Sequence, residues 1–121
     1  RLLDYRMRGK FLFVQIGERT ITGFDGEGRP VYLPESEGVY RELVAAERGA
    51  QSTAYFKLLP FQKDFVPFLL ASDFFVLGSY DEMYSLSMID AMMAGCFVIG
   101  TNNGGTTEQL QNERGYLVES K

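Results

Sequence analysis

The sequence predicts an α/β fold built on a parallel sheet, and three features of its 121 residues carry that prediction. Short apolar runs recur along the chain as "KFLFVQIG", "STAYFKLLP", "DFFVLG", "CFVIGT" and "YLVES". Between them lie segments whose apolar residues repeat at helical spacing, among them "VYRELVAAERG" and "LSMIDAMMA". Strand and helix alternate, the order that gives parallel strands joined by right-handed crossovers, with helices on both faces of the sheet. Such an arrangement is one Rossmann-like, doubly wound half.

Each element has its own warrant. Lys10 to Gly17 is a short apolar run closed by Gly, as expected of a strand buried on both faces. Residues 18–38, "ERTITGFDGEGRPVYLPESEG", form a turn-rich, hairpin-like excursion, with Asp25-Gly26 between two short β-prone stretches. Gly23, Gly26 and Gly28 do not join a strand directly to a helix, so they read as turn glycines rather than a phosphate loop. In the helix that follows, Tyr40, Leu43, Val44 and Glu47 share one flank and Gly49 is placed as a C-terminal stop. After the "STAYFKLLP" strand, Asp64 is an N-cap candidate for "FVPFLLAS". Pro67 there falls in the tolerant first turn, and Phe65, Phe68 and Leu69 keep helical spacing. Asp73 to Gly78 is the next strand, followed by a loop and helix over Ser79 to Gly95. Cys96 to Thr101 is then a strand, "NNGG" a tight loop, "TTEQLQNERG" a short helix and "YLVES" the last strand.

Composition narrows the function classes. With 45% hydrophobic residues and 14% aromatics, residues 1–121 can build a single core. The opening Arg1, running almost at once into a strand, reads as a domain cut from a longer chain. Twelve basic against sixteen acidic residues, with no run of Lys and Arg, argue against a nucleic-acid partner. No apolar run approaches the roughly 18 residues of a membrane span. Histidine is absent and Cys96 is the single cysteine, which excludes a Ser-His-Asp triad, a Cys-His pair, the usual zinc ligand sets and an internal disulfide. Proton chemistry therefore falls to carboxylates or to the substrate, and Cys96 reads as a small buried hydrophobe.

Ligands of open α/β sheets sit outside the carboxyl ends of the strands, where the following helices present free N–H groups. Two loops qualify here, "SYDEMYS" and "NNGG", and consecutive parallel strands put both on one edge. The helix between them contains only two polar residues, Ser87 and Asp90, and is expected to be buried nearly all round. Leu86, Ile89, Asp90 and Met93 share one face, so Asp90 interrupts an apolar row, and a buried carboxylate is costly unless something satisfies it. Two readings stand. "SMID" from Ser87 to Asp90 matches a capping box, a role that disappears if the helix begins at Ser85; or Asp90 contacts a ligand. Glu82, in the loop about two turns earlier, can border the same cleft, although alone it reads as a solvated loop acid.

The block "FFVLGSYDEMYSLSMIDAMMAGCFVIGTNNGGTTEQLQNERGYLVES" resembles the donor-binding C-terminal domain of retaining GT-B glycosyltransferases of the glycogen-synthase-like, group 1 type. The places of the family's pattern are filled by Glu82, Tyr84, Asp90, "AMMAG", "FVI", Gly104, Gly105 and Glu108. The resemblance implies one half of a GT-B fold that transfers a hexose, with retention, from a nucleotide diphosphate sugar to a glycan or lipid-linked acceptor. That acceptor would be held mainly by an N-terminal domain outside this chain. It implies Glu82 as the catalytic acid on the sugar, backbone donors at Met83, Tyr84 and Ser85, Asp90 on the ribose hydroxyls, Gly104 and Gly105 as a turn facing the donor, and Glu108 behind it. No metal or other cofactor is expected, since a helix N-terminus suits a diphosphate. The implied location is the cytoplasm, or the inner membrane face for the full-length protein.

Some positions depart from the pattern. Asp90 is one methylene shorter than the usual Glu, Ser85 replaces Gly, and Ser87 stands where Pro is frequent. The phosphate-neutralising Arg and Lys precede the first strand in this family, whereas Arg6, Arg8 and Lys10 read as surface charges. These departures motivate a second reading, a non-catalytic Rossmann-like module that binds a nucleotide or nucleotide sugar. For "NNGGTTEQ" the plainer expectation is a strand-to-helix turn with Thr106 and Gln109 as a capping pair.

Overall fold

The computed structural model describes residues 11–17, 19–50 and 56–119. Arg6, Arg8, Lys10 and the first residues of "STAYFKLLP" lie outside them. The chain forms two compact units that divide between Lys63 and Asp64.

The first unit contains β1 (Phe13–Ile16), β2 (Ile21–Phe24), β3 (Pro30–Tyr32), a 3₁₀ turn (Pro34–Ser36), α1 (Glu37–Ala50) and β4 (Phe56–Leu59). β1 and β4 are parallel, Phe13 opposite Phe56 and Ile16 opposite Leu59. The expected flank of α1 faces inward: Tyr40, Leu43, Val44 and Glu47 are half-buried while Arg41, Glu42, Ala45 and Ala46 are exposed. Glu47 also reaches the strand, its Oε1 accepting the Leu58 N–H at 3.0 Å. Two expectations need correction. Gly49 does not stop the helix, which continues to Ala50. β1 is not buried on both faces either, since Phe13 and Val14 stay 42% and 45% exposed. The reason is the covering layer: among the described residues α1 packs mainly on β4 rather than on β1.

The turn-rich excursion is a hairpin. β2 and β3 pair antiparallel with an irregularity between Ile21 and Gly23. Asp25 builds the turn, its Oδ1 accepting the N–H groups of Glu27 and Arg29, each at 2.9 Å, and its Oδ2 pairing with Arg29 Nε at 2.8 Å. Gly28 takes φ +77°, a conformation side-chain-bearing residues rarely adopt. The Arg29 N–H and guanidinium hold the Asp25 carboxyl below the usual carboxylate range. A depressed carboxylate contributes stability that is present above its unfolded pKa and is lost as pH falls through its folded one. The protection of the Glu27 and Arg29 amides, taken relative to the exchange rate of an unstructured amide at the same pH, should therefore be high at neutral pH and fall at pH below the ordinary carboxylate value of about 3.9. Protection that persists unchanged through acid would disprove that role for Asp25.

The second unit contains α2 (Val66–Leu70), β5 (Phe74–Leu77), α3 (Leu86–Met93), β6 (Phe97–Thr101), α4 (Gly104–Leu110) and β7 (Tyr116–Val118). Its sheet runs β5-β6-β7, all parallel, with Phe74 opposite Phe97 and Ile99 opposite Tyr116. Leu69, Met88, Ala91, Cys96, Val98 and Leu110 form its core. Cys96 sits there as expected, its thiol donating to the carbonyls of Leu69 and Ser72 at 3.2 and 3.4 Å. Asp64 accepts the Val66 N–H at 3.2 Å, capping α2 from one residue before the position at which the helix geometry begins.

α3 corrects a further expectation. It is not buried all round: Met88 and Ala91 are fully buried, but Leu86 and Met93 are 72% and 82% exposed. The stripe of Met88 and Ala91, with Met92 partly buried beside it, turns to the core, and the row holding Asp90 is not that stripe. Asp90 itself is half-buried. No helix among the described residues is long and apolar enough to cross a membrane.

Candidate functional site

Two connections leave the carboxyl ends of neighbouring parallel strands in the second unit: residues 78–85 after β5 and residues 102–103 after β6. Four hydrogen bonds, in three ties, join the first connection to the second and to the helix that follows it. Asn103 Nδ2 donates to the Ser79 carbonyl at 2.6 Å, and the Gly105 N–H donates to the Glu82 carbonyl at 2.8 Å. The third tie is bidentate and buried: Gln109 Oε1 accepts the Ser85 N–H at 2.9 Å while its Nε2 donates to the Ser85 carbonyl at 3.0 Å.

The glycines permit this closeness. Gly104, at φ +44°, packs against the Glu82 carbonyl, and Gly105 packs so tightly on the Met83 carbonyl that a Cβ there would overlap it. The pair is not a loop before the helix, as expected, but the first turn of α4, with Asn103 as N-cap.

Ser85 decides the question of Asp90. It is the N-cap of α3, and its Oγ accepts the Met88 N–H at 3.3 Å. The helix thus begins at Leu86, and the alternative box from Ser87 to Asp90 does not form. The Asp90 carboxylate is left without a hydrogen bond or ion pair to any described residue, and the same is true of the half-buried Glu82 carboxylate. Asp90 lies five residues past the cap, about 7.5 Å along the axis. At the helix entrance the N–H groups of Met83, Tyr84, Leu86 and Ser87 likewise make no bond to a described residue, whereas that of Ser85 is taken by Gln109. The edge therefore offers four donors without a partner among the described residues and the positive end of a helix dipole, with two uncommitted carboxylates on the same segment.

The expected capping pair of Thr106 and Gln109 is corrected by the same geometry. Thr106 is buried with its hydroxyl unpartnered, and Gln109 serves the neighbouring loop rather than its own helix. Glu108 is exposed, and its carboxylate bonds to no described residue. Sequence reasoning missed what Gln109 does, although a signal was present: Thr106, Gln109 and Leu110 fall at i, i+3 and i+4, so the amide had to enter the core and find partners there.

The glycosyl transferases group 1 family matches residues 25–121. The chain belongs to that family. Membership covers both units from Asp25 onward and accounts for the parallel α/β architecture, a GT-B-type glycosyltransferase domain with a Rossmann-like half. Glycosyl transfer is the function it supports. Comparison with curated proteins returned no match.

Proposed function

We propose that this group 1 glycosyltransferase domain binds a nucleotide diphosphate sugar at the entrance of α3 and transfers its hexose, with retention, to a glycan or lipid-linked acceptor. One observation carries the reading: four free backbone N–H groups and two unpartnered carboxylates occupy the segment Glu82–Asp90 at the carboxyl edge of parallel strands. The diphosphate accepts from the N–H groups of Met83, Tyr84, Leu86 and Ser87, a need that a helix N-terminus meets without a counterion. A carboxylate accepts at both oxygens and so suits a vicinal diol, each charged hydrogen bond adding about 1.5–3 kcal/mol. On this reading Glu82 grips the sugar hydroxyls and Asp90 the ribose, which gives both acids the partners they lack within the chain. Gly104 and Gly105 act by holding the Glu82–Met83 backbone in place. These 121 residues carry no histidine, and on this reading the departing phosphate receives the acceptor's proton.

Glu82→Gln keeps the shape but weakens the charged hydrogen bonds to the sugar. It should lower turnover of the full-length enzyme ten-fold or more, about 1.4 kcal/mol in the barrier. Steady-state assays of free nucleoside diphosphate release, run with uridine, guanosine and adenosine diphosphate sugars, provide the check. Unchanged turnover would remove Glu82 from the mechanism, and tight binding without any release would favour the non-catalytic binding module.

A further inference from the structure

Gln109 stands apart from every other polar side chain in the second unit. It is 5% exposed, both ends of its amide are engaged, and both engage one residue on another element. A carboxamide that gives one bond and takes one from the same residue mimics a neighbouring strand, fixing the partner's peptide in position and in rotation. That partner is Ser85, whose side chain caps α3 and whose own backbone would otherwise leave a buried N–H unsatisfied. The direction in which the N–H groups of Met83, Tyr84, Leu86 and Ser87 point is set by the peptide at Ser85, because it lies between them. The other ties, Asn103 to Ser79 and Gly105 to Glu82, fix the start and middle of the loop and leave its junction with the helix to Gln109.

We infer that Gln109 is a positioning residue for the donor diphosphate: it touches no substrate, but it aims the backbone donors that do. The inference rests on the reading that a diphosphate binds at the α3 entrance. Two variants separate it from a merely structural role. Gln109→Leu removes both bonds at nearly constant volume. Gln109→Glu, when ionised, can accept from the Ser85 N–H but cannot donate to its carbonyl; when protonated, its O–H restores the missing donor.

The probes are uridine, guanosine and adenosine diphosphate, titrated calorimetrically into full-length protein, with melting temperature followed in parallel. The tightest binder to the unsubstituted protein is carried to the variants. Gln109→Leu should weaken its binding ten-fold or more in protein that remains folded at the assay temperature. Gln109→Glu should bind comparably weakly at pH 8 and recover at least three-fold toward the unsubstituted affinity at pH 5.5, a recovery the unsubstituted protein lacks. Lower melting temperatures with unchanged affinity in the folded variants, or a Gln109→Glu affinity that ignores pH, would overturn the inference. Should Gln109→Leu fail to fold, Gln109→Glu at the two pH values decides alone. Absence of binding by all three diphosphates to the unsubstituted protein is a different failure: it overturns the diphosphate reading itself, and the inference with it.

Discussion

Gly105→Ala should destabilise the protein by roughly 3 kcal/mol and abolish glycosyl transfer. The added methyl would overlap the Met83 carbonyl oxygen, a backbone atom that cannot swing aside as a side chain would. Relief requires moving either the first turn of α4 or the Glu82–Met83 peptide, and both movements break the Gly105 N–H to Glu82 bond. Overpacking of this kind costs about 1–3 kcal/mol, and a lost hydrogen bond adds about 1 kcal/mol. Gly26→Ala is the matched control, because nothing lies within 4 Å of a Cβ there and its φ is not in the left-handed region. Equilibrium urea unfolding should show the Gly26 substitution within about 0.5 kcal/mol of the parent. Equal stabilities for the two variants would contradict the close approach of the two loops.

The second large effect concerns the helix that carries the candidate site. Met88→Ala should cost about 2–5 kcal/mol, since Met88 is fully buried in the core beside Val98 and Leu110. Met93→Ala, five residues on in the same helix, should cost almost nothing, because Met93 is 82% exposed. The two substitutions delete the same atoms from the same secondary structure and so isolate orientation. Urea midpoints that fall equally for both would show that α3 is buried on every side, as its composition had suggested.

That pair also marks where the sequence stops being informative. Among the described residues the seven strands and four α-helices were legible from apolar runs, turn residues and spacing, and the hairpin followed from Asp25-Gly26. The burial of α3 was not legible, because Leu, Met, Ile and Ala occupy all its faces and hydrophobicity then carries no direction. β1 likewise reads as a strand buried on both faces by composition, but burial depends on what packs over the faces, and in its unit α1 lies mainly on β4. At the candidate site, the sequence points to the segment from Glu82 to Asp90 and to the Gly104–Gly105 pair, which the fold brings together. Their connections are not legible in it. Residue types do not reveal that Ser85, rather than Ser87, caps the helix, a choice that depends on where the chain leaves extended geometry, here at Ser85 with φ −84° and ψ 112°. Nor do they reveal that an amide 24 positions downstream closes on the cap. Hydrogen bonds across elements follow from topology, which a local pattern does not contain.

The account holds that a diphosphate docks on the backbone donors opening α3. The most direct measurement is an amide-resolved NMR titration of the full-length protein, labelled with ¹⁵N at Met, Tyr, Leu and Ser, with the nucleoside diphosphate that binds it most tightly. The account predicts large, saturable shifts at Met83, Tyr84, Leu86 and Ser87, with a smaller one at Ser85, whose N–H is already bonded to Gln109. Saturable binding that leaves these amides unmoved and shifts a group of residues elsewhere would contradict it.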